Sequence, residues 1–195
     1  MYADLLTLTN RSTQKKVTNS ERELYFRNNQ DILQLISFVL KGNADIKPIV
    51  TGKSGFFTQS NNAESLFNEV MVVQKFFKKI NGIRMREKYI TFSRNELTDG
   101  IEVEQLKRIA SLISRLYLFK GFQNVWAVVS QGDEFTIYLA INTVSCFDGS
   151  KYNYNKADVD DEEFAYLMNL YNMVVKNDLS VNIDYTPLEF YPYSF

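Results

Sequence analysis

The period of the apolar positions changes several times along the chain, and each change predicts an element. Tyr2 to Thr9 reads as a short strand, and Arg11 to Asn19 is a polar connection rich in Thr, Ser and Lys. From Ser20 onward Leu24, Leu33, Ile36, Val39 and Leu40 fall at helical spacing, as one helix or two, with Gly42 placed to stop it. Ile46 to Val50 is a short apolar run, and the glycines of Thr51-Gly52-Lys53-Ser54-Gly55 after it predict a strand and a turn. Asn62 caps a helix reaching Lys79, with Leu66, Val70, Val73 and Phe77 on one face. Tyr89 to Ser93 predicts a strand, Asn95 to Gly100 a polar loop, and Glu102 to Phe119 a helix carrying Val103, Leu106, Ile109, Ile113 and Leu116. Val125 to Ser130 and Glu134 to Val144 read as two strands joined across Gln131-Gly132-Asp133 in a tight hairpin. Asp148-Gly149 is a turn. Asp160 to Lys176 predicts another helix, its acidic start matching the positive end of the helix dipole, and Ser180 to Phe195 is an extended aromatic tail.

This order of elements predicts an α+β fold: an antiparallel sheet with helices packed on one face, of the split β-α-β type. The 195 residues, 45% of them hydrophobic, suit one domain over 1–195 with one sizeable core. Twenty-two Lys and Arg against 23 Asp and Glu leave a formal charge of -1, so no global field draws the chain to nucleic acid or to an anionic membrane. No run approaches the roughly 18 apolar residues of a membrane span. The start lacks the pattern of a signal peptide, and a single Cys146 allows no internal disulfide, which together predict a cytoplasmic protein.

The chain contains no histidine. Cys146 therefore lacks the usual base of a thiol nucleophile, and Cys/His metal sites are absent, leaving carboxylates as the available ligands. Asp158, Asp160, Asp161, Glu162 and Glu163 do not follow calcium-loop spacing and read as a solvated helix start. Gly52-Lys53-Ser54 lacks the first glycine and the following helix of a phosphate loop, and reads as a turn. Lys78, Lys79, Arg84, Arg86 and Lys88 gather cations between a helix end and a strand, where they would contact a phosphate backbone or simply complement the helix dipole. The 12 Tyr and 15 Phe offer stacking platforms for single-stranded bases, or core.

The run Gly121 to Lys156 resembles the signature segment of the relaxases, the HUH-type mobilisation nucleases that nick the DNA of plasmids and conjugative elements. Ala140-Ile141-Asn142-Thr143-Val144 and Gly149-Ser150-Lys151-Tyr152 keep the scaffold of that segment. In order of elements the likeness covers about 33–181, with 1–32 and 182–195 as extensions. It implies a relaxase-like palm in which Glu134, Thr136, Tyr138 and Asn153 stand where active members carry histidines. Phe38 stands in place of the nucleophilic tyrosine. Neutral imidazoles hold the metal that polarises the scissile phosphate, and a phenol forms the covalent bond; these residues supply neither. The resemblance thus implies a catalytically inactive protein of a mobile genetic element, without cofactor or metal, that binds single-stranded or origin DNA or serves as a relaxosome accessory. Two alternatives stand beside it. One is an interaction or regulatory module that docks a relaxase or another mobile-element protein and does not bind DNA, with the tail Phe190 to Phe195 as its contact. The other is residual metal-dependent nicking through Tyr138, Tyr152 or Tyr154.

Overall fold

In the computed structural model, residues 25–152 are described, together with Asn169 and Asn172. The strand expected at Tyr2 to Thr9, the helix at Asp160 to Lys176 apart from Asn169 and Asn172, the aromatic tail, Asn153 and Tyr154 lie outside the described residues. The described elements are β1 (Tyr25–Phe26), α1 (Asn29–Lys41), β2 (Pro48–Ser54), α2 (Ala63–Phe76), β3 (Met85–Ser93), a short 3-10 turn (Arg94–Glu96), α3 (Glu102–Phe119), β4 (Asn124–Gln131) and β5 (Glu134–Asn142).

The strands form one antiparallel sheet in the order β1-β3-β5-β4-β2, with the two-residue β1 at one edge. The α+β class read from the sequence is therefore present. The placement of the helices differs from expectation, because they cover both faces of the sheet. Side chains alternate along a strand, so Phe135, Ile137, Leu139 and Ile141 of β5 join Trp126 and Val128 of β4 in a core under α3 with Leu106, Ile109 and Ile113. Ala140 of β5 and Val125 and Ala127 of β4 point the other way, against Ile32, Leu35, Ile36 and Val39 of α1 and Leu66 and Val70 of α2. Two apolar stripes on one hairpin require a cover on each side.

Local chemistry sets the helix ends. Asn28 caps α1 by accepting from Asp31 N, and Gly42 closes it at φ +70. Asn62 caps α2 through Glu64 N and Ser65 N, as the sequence predicts. α2 stops three residues before Lys79 because Lys78 turns left-handed at φ +56, and Lys79 N returns to Gln74 O at 2.8 Å. The hairpin is as expected, with Gln131 facing Glu134 across Gly132-Asp133 and positive φ at Gly132 alone of the two turn residues.

Two local expectations change. β3 begins at Met85 rather than Tyr89, which draws Arg86 and Lys88 into the sheet. Gly52 and Lys53 are mid-strand rather than in a turn. The reason lies across the pair: the indole of Trp126 lies on Gly52, and a Cβ there would come within 2.3 Å of the ring. Glycine at this position makes room for a neighbour, and the chain turns only at Gly55, φ +82.

Candidate functional site

Strand alternation places Glu134, Thr136 and Tyr138 on the face of β5 that looks toward α1, and Phe38 of α1 reaches that face. The Phe38 and Tyr138 rings meet edge-to-face at 5.4 Å between centroids, and Tyr89 of β3 lies 6.2 Å from Tyr138 on the other side. Thr136 is buried and shares a 3.1 Å hydrogen bond with Thr91 of β3, the residue opposite it in register. Glu134 is exposed at the strand's start beside the hairpin turn. Burial, followed by the charges of Glu87 and Tyr89, pushes the Tyr138 phenol above its ordinary range. A phenol held neutral and wedged between two rings is a packing group.

These residues do not fit a metal. Thr136 is committed to Thr91, Tyr138 is kept protonated, and Glu134 alone offers a carboxylate. Among the described residues no three Cys, Asp or Glu stand together as metal ligands. Phe38 has no nucleophilic atom. Tyr152, a candidate for residual chemistry, is held edge-on against Phe122 at 5.1 Å with Arg86 over its face at 5.1 Å. Cys146 is half-buried, and burial pushes its thiol up, away from the reactive thiolate.

The five cations do not share a surface. Lys78 and Lys79 are exposed after α2. Arg84 is buried between the two helices of one face: Nε donates to Gln74 Oε1 at 2.7 Å, one terminal nitrogen to Asn29 Oδ1 at 2.7 Å and Arg27 O at 3.3 Å, and the other contacts Met71 Sδ. Arg86 is buried on the opposite face. Lys88, also on that face, lies 5.7 Å from the Tyr117 ring centre and 6.0 Å from that of Tyr152. Arg86 and Lys88, two apart on β3, share a face but lie against the rings of Tyr152 and Tyr117, while Arg84, just ahead of the strand, is drawn to the other face by Gln74 and Asn29, so the run forms no single phosphate-binding row. Lys53 is likewise internal in role, donating to the carbonyls of Thr58 and Ser60 and so holding the loop that follows β2.

The chain matches no family model, no curated protein and no solved structure.

A buried polar chain escaped the sequence reading. At the end of the sheet where β3 and β4 start and β2 and β5 finish, Arg84 leads to Gln74, whose Nε2 donates to Arg84 O and to Asn142 Oδ1 at 3.0 Å. Asn142 Nδ2 donates to Gln123 Oε1 at 3.0 Å, and Gln123 Nε2 reaches Gly55 O. Beside it Asn124 donates to the carbonyls of Ser114 and Phe122 and accepts from Ser114 Oγ. Gln74, Asn124 and Asn142 are fully buried. One signal was available: Gln74 follows Leu66 and Val70 at helical spacing, an amide on an apolar stripe. Asn142 belongs to the Asn142-Thr143-Val144 run singled out above, and the excursion after it closes on itself through Tyr152 N to Thr143 O and a bridge between Val144 and Lys151.

No helix among the described residues is long and apolar enough to cross a membrane.

Proposed function

We propose that the protein is a non-catalytic, relaxase-like accessory of a mobile genetic element, acting by docking onto a macromolecular partner rather than by cutting DNA. The observation that carries this reading is the contact between Phe38 and Tyr138. The resemblance assigns these two residues, a hundred positions apart, to the nucleophile and to a metal-ligand position of one site. Their meeting in space is what that assignment requires, and their side chains pack as hydrocarbon and neutral phenol.

A protein partner is favoured over DNA. Binding to a phosphate backbone draws its strength from several exposed cations acting together, whereas Arg84 and Arg86 are internal and the net charge is -1. Incubation with supercoiled origin plasmid in magnesium or manganese tests the first half of the reading, and the plasmid is expected to remain supercoiled; nicked product refutes the non-catalytic assignment. Fluorescence anisotropy with single-stranded and origin oligonucleotides at low salt tests the second half. Saturable, salt-sensitive binding there would return the function to DNA recognition.

A further inference from the structure

The outer face of α2 carries an apolar stripe that no described element covers. Val72 and Phe76 lie one turn apart and are 66% and 76% exposed. Glu69, on the same stripe one turn earlier, accepts the backbone N–H groups of Phe57 and Thr58. That pair of bonds fixes the loop after β2 against the helix and stands Phe57, 82% exposed, beside the first turn of the stripe. Phe76 is further braced edge-to-face by Phe77 at 4.9 Å, which itself packs on Gly149. Large side chains so exposed and so held mark a contact surface.

The charges at the C-terminal end of the stripe are cationic. Lys75 flanks it one turn after Val72, and Lys78 and Lys79 follow its end; none of the three makes an ion pair with a described residue. The nearby carboxylates are engaged locally, Glu69 with the loop and Asp148 with Ser150 N at 2.9 Å. Lys151, tied to the carbonyls of Asn81 and Ile83, lies in the repulsive field of Lys79 and Arg84. A local positive potential thus stands at one end of an apolar row in a chain of net charge -1.

We propose that Phe57, Val72 and Phe76, with Lys75, Lys78 and Lys79, dock an acidic amphipathic segment of a partner protein. Its apolar side chains cover the row and its carboxylates meet the lysines. An aliphatic Val72 at the centre of the row offers no face for base stacking, and the cations do not run along its length. Both features select peptide over single-stranded nucleic acid. The proposal stands independently of the relaxase-like reading.

The test uses the full chain and a fluorescent synthetic helix with leucine and phenylalanine on one face and glutamate on the other, read by anisotropy. Its charge-reversed twin, oligothymidylate and vesicles of phosphatidylglycerol with phosphatidylcholine serve as competing probes. The glutamate helix is expected to bind saturably and more weakly as salt rises. Phe57→Ser with Val72→Ser, and separately Lys75→Glu with Lys78→Glu and Lys79→Glu, are each expected to weaken it by roughly tenfold, with unfolding midpoints unchanged. Equal binding of the lysine twin, tighter binding of oligothymidylate or vesicles, insensitivity to both sets of substitutions, or no binding at millimolar peptide each overturns the proposal.

Discussion

Asn142→Ala is expected to be among the most damaging single truncations in the molecule, although it removes a small polar side chain. Asn142 is fully buried and makes three bonds: it accepts from Gln74 Nε2 at 3.0 Å and Val144 N at 3.1 Å, and donates to Gln123 Oε1 at 3.0 Å. After truncation Gln74 Nε2 still has Arg84 O, at 2.9 Å. Gln123 Oε1 and Val144 N would each lose a partner where water does not reach. An unsatisfied buried group costs about 1–3 kcal/mol, so two of them cost about 4 kcal/mol, a large share of the ~5–15 kcal/mol that holds a domain together. At ~2–4 °C per kcal/mol for a chain of this size, the melting temperature falls by about 8–16 °C. Urea unfolding followed by Trp126 fluorescence and by circular dichroism measures the loss directly. Gln123→Ala completes a double-mutant cycle. Because its carbonyl is already orphaned in Asn142→Ala, the second truncation should cost at least ~1 kcal/mol less there than in the wild type. A loss under ~1 kcal/mol for Asn142→Ala, or strictly additive effects, would refute the reading of this amide chain as a clamp on the strand ends.

Gly52→Ala should destabilise by about 1–3 kcal/mol and perturb the near-ultraviolet signal of Trp126, since the new methyl falls on the indole; a neutral substitution would refute the packing of the Trp126 ring on Gly52. Arg84→Ala is expected to lower the unfolding midpoint clearly, while Lys78→Ala with Lys79→Ala leaves it unchanged, a difference that five surface cations contacting DNA would not show. Tyr138 predicts an alkaline effect. Its folded pKa is raised, so the stability of the neutral phenol is fully present below the unfolded value of about 10 and is lost as pH rises from there toward the folded value. In Tyr138→Phe that part of the alkaline decline should be missing from the unfolding free energy; identical pH profiles for the two proteins would contradict the assignment.

What the sequence determined by itself are the features whose cause is local. Asn62 before an apolar period, Gly42 after one, and Gln131-Gly132-Asp133 between two β-rich runs act through the backbone of their immediate neighbours, so helix caps and hairpin were legible without any partner. The absence of histidine is equally a property of the chain alone, and it removes a whole class of chemistry whatever the fold. Tertiary structure decided what depends on a residue far along the chain. The hairpin carries two apolar stripes, and only the arrival of α1 with α2 on one side and α3 on the other made both of them core. Gly52 was legible as a glycine but not as the seat of the Trp126 ring, because the demand for space comes from another strand. The basic run ending in Lys88 looked like one patch in sequence; the partners Gln74 and Asn29 of Arg84, just outside β3, and the aromatic rings beside Arg86 and Lys88 divided it between two faces and the surface. Phe38 and Tyr138 were paired on paper by resemblance alone, and it took the packing of α1 across the sheet to bring their rings to 5.4 Å. Short-range forces write their instructions in adjacent letters, whereas burial is a property of the whole chain once it has closed.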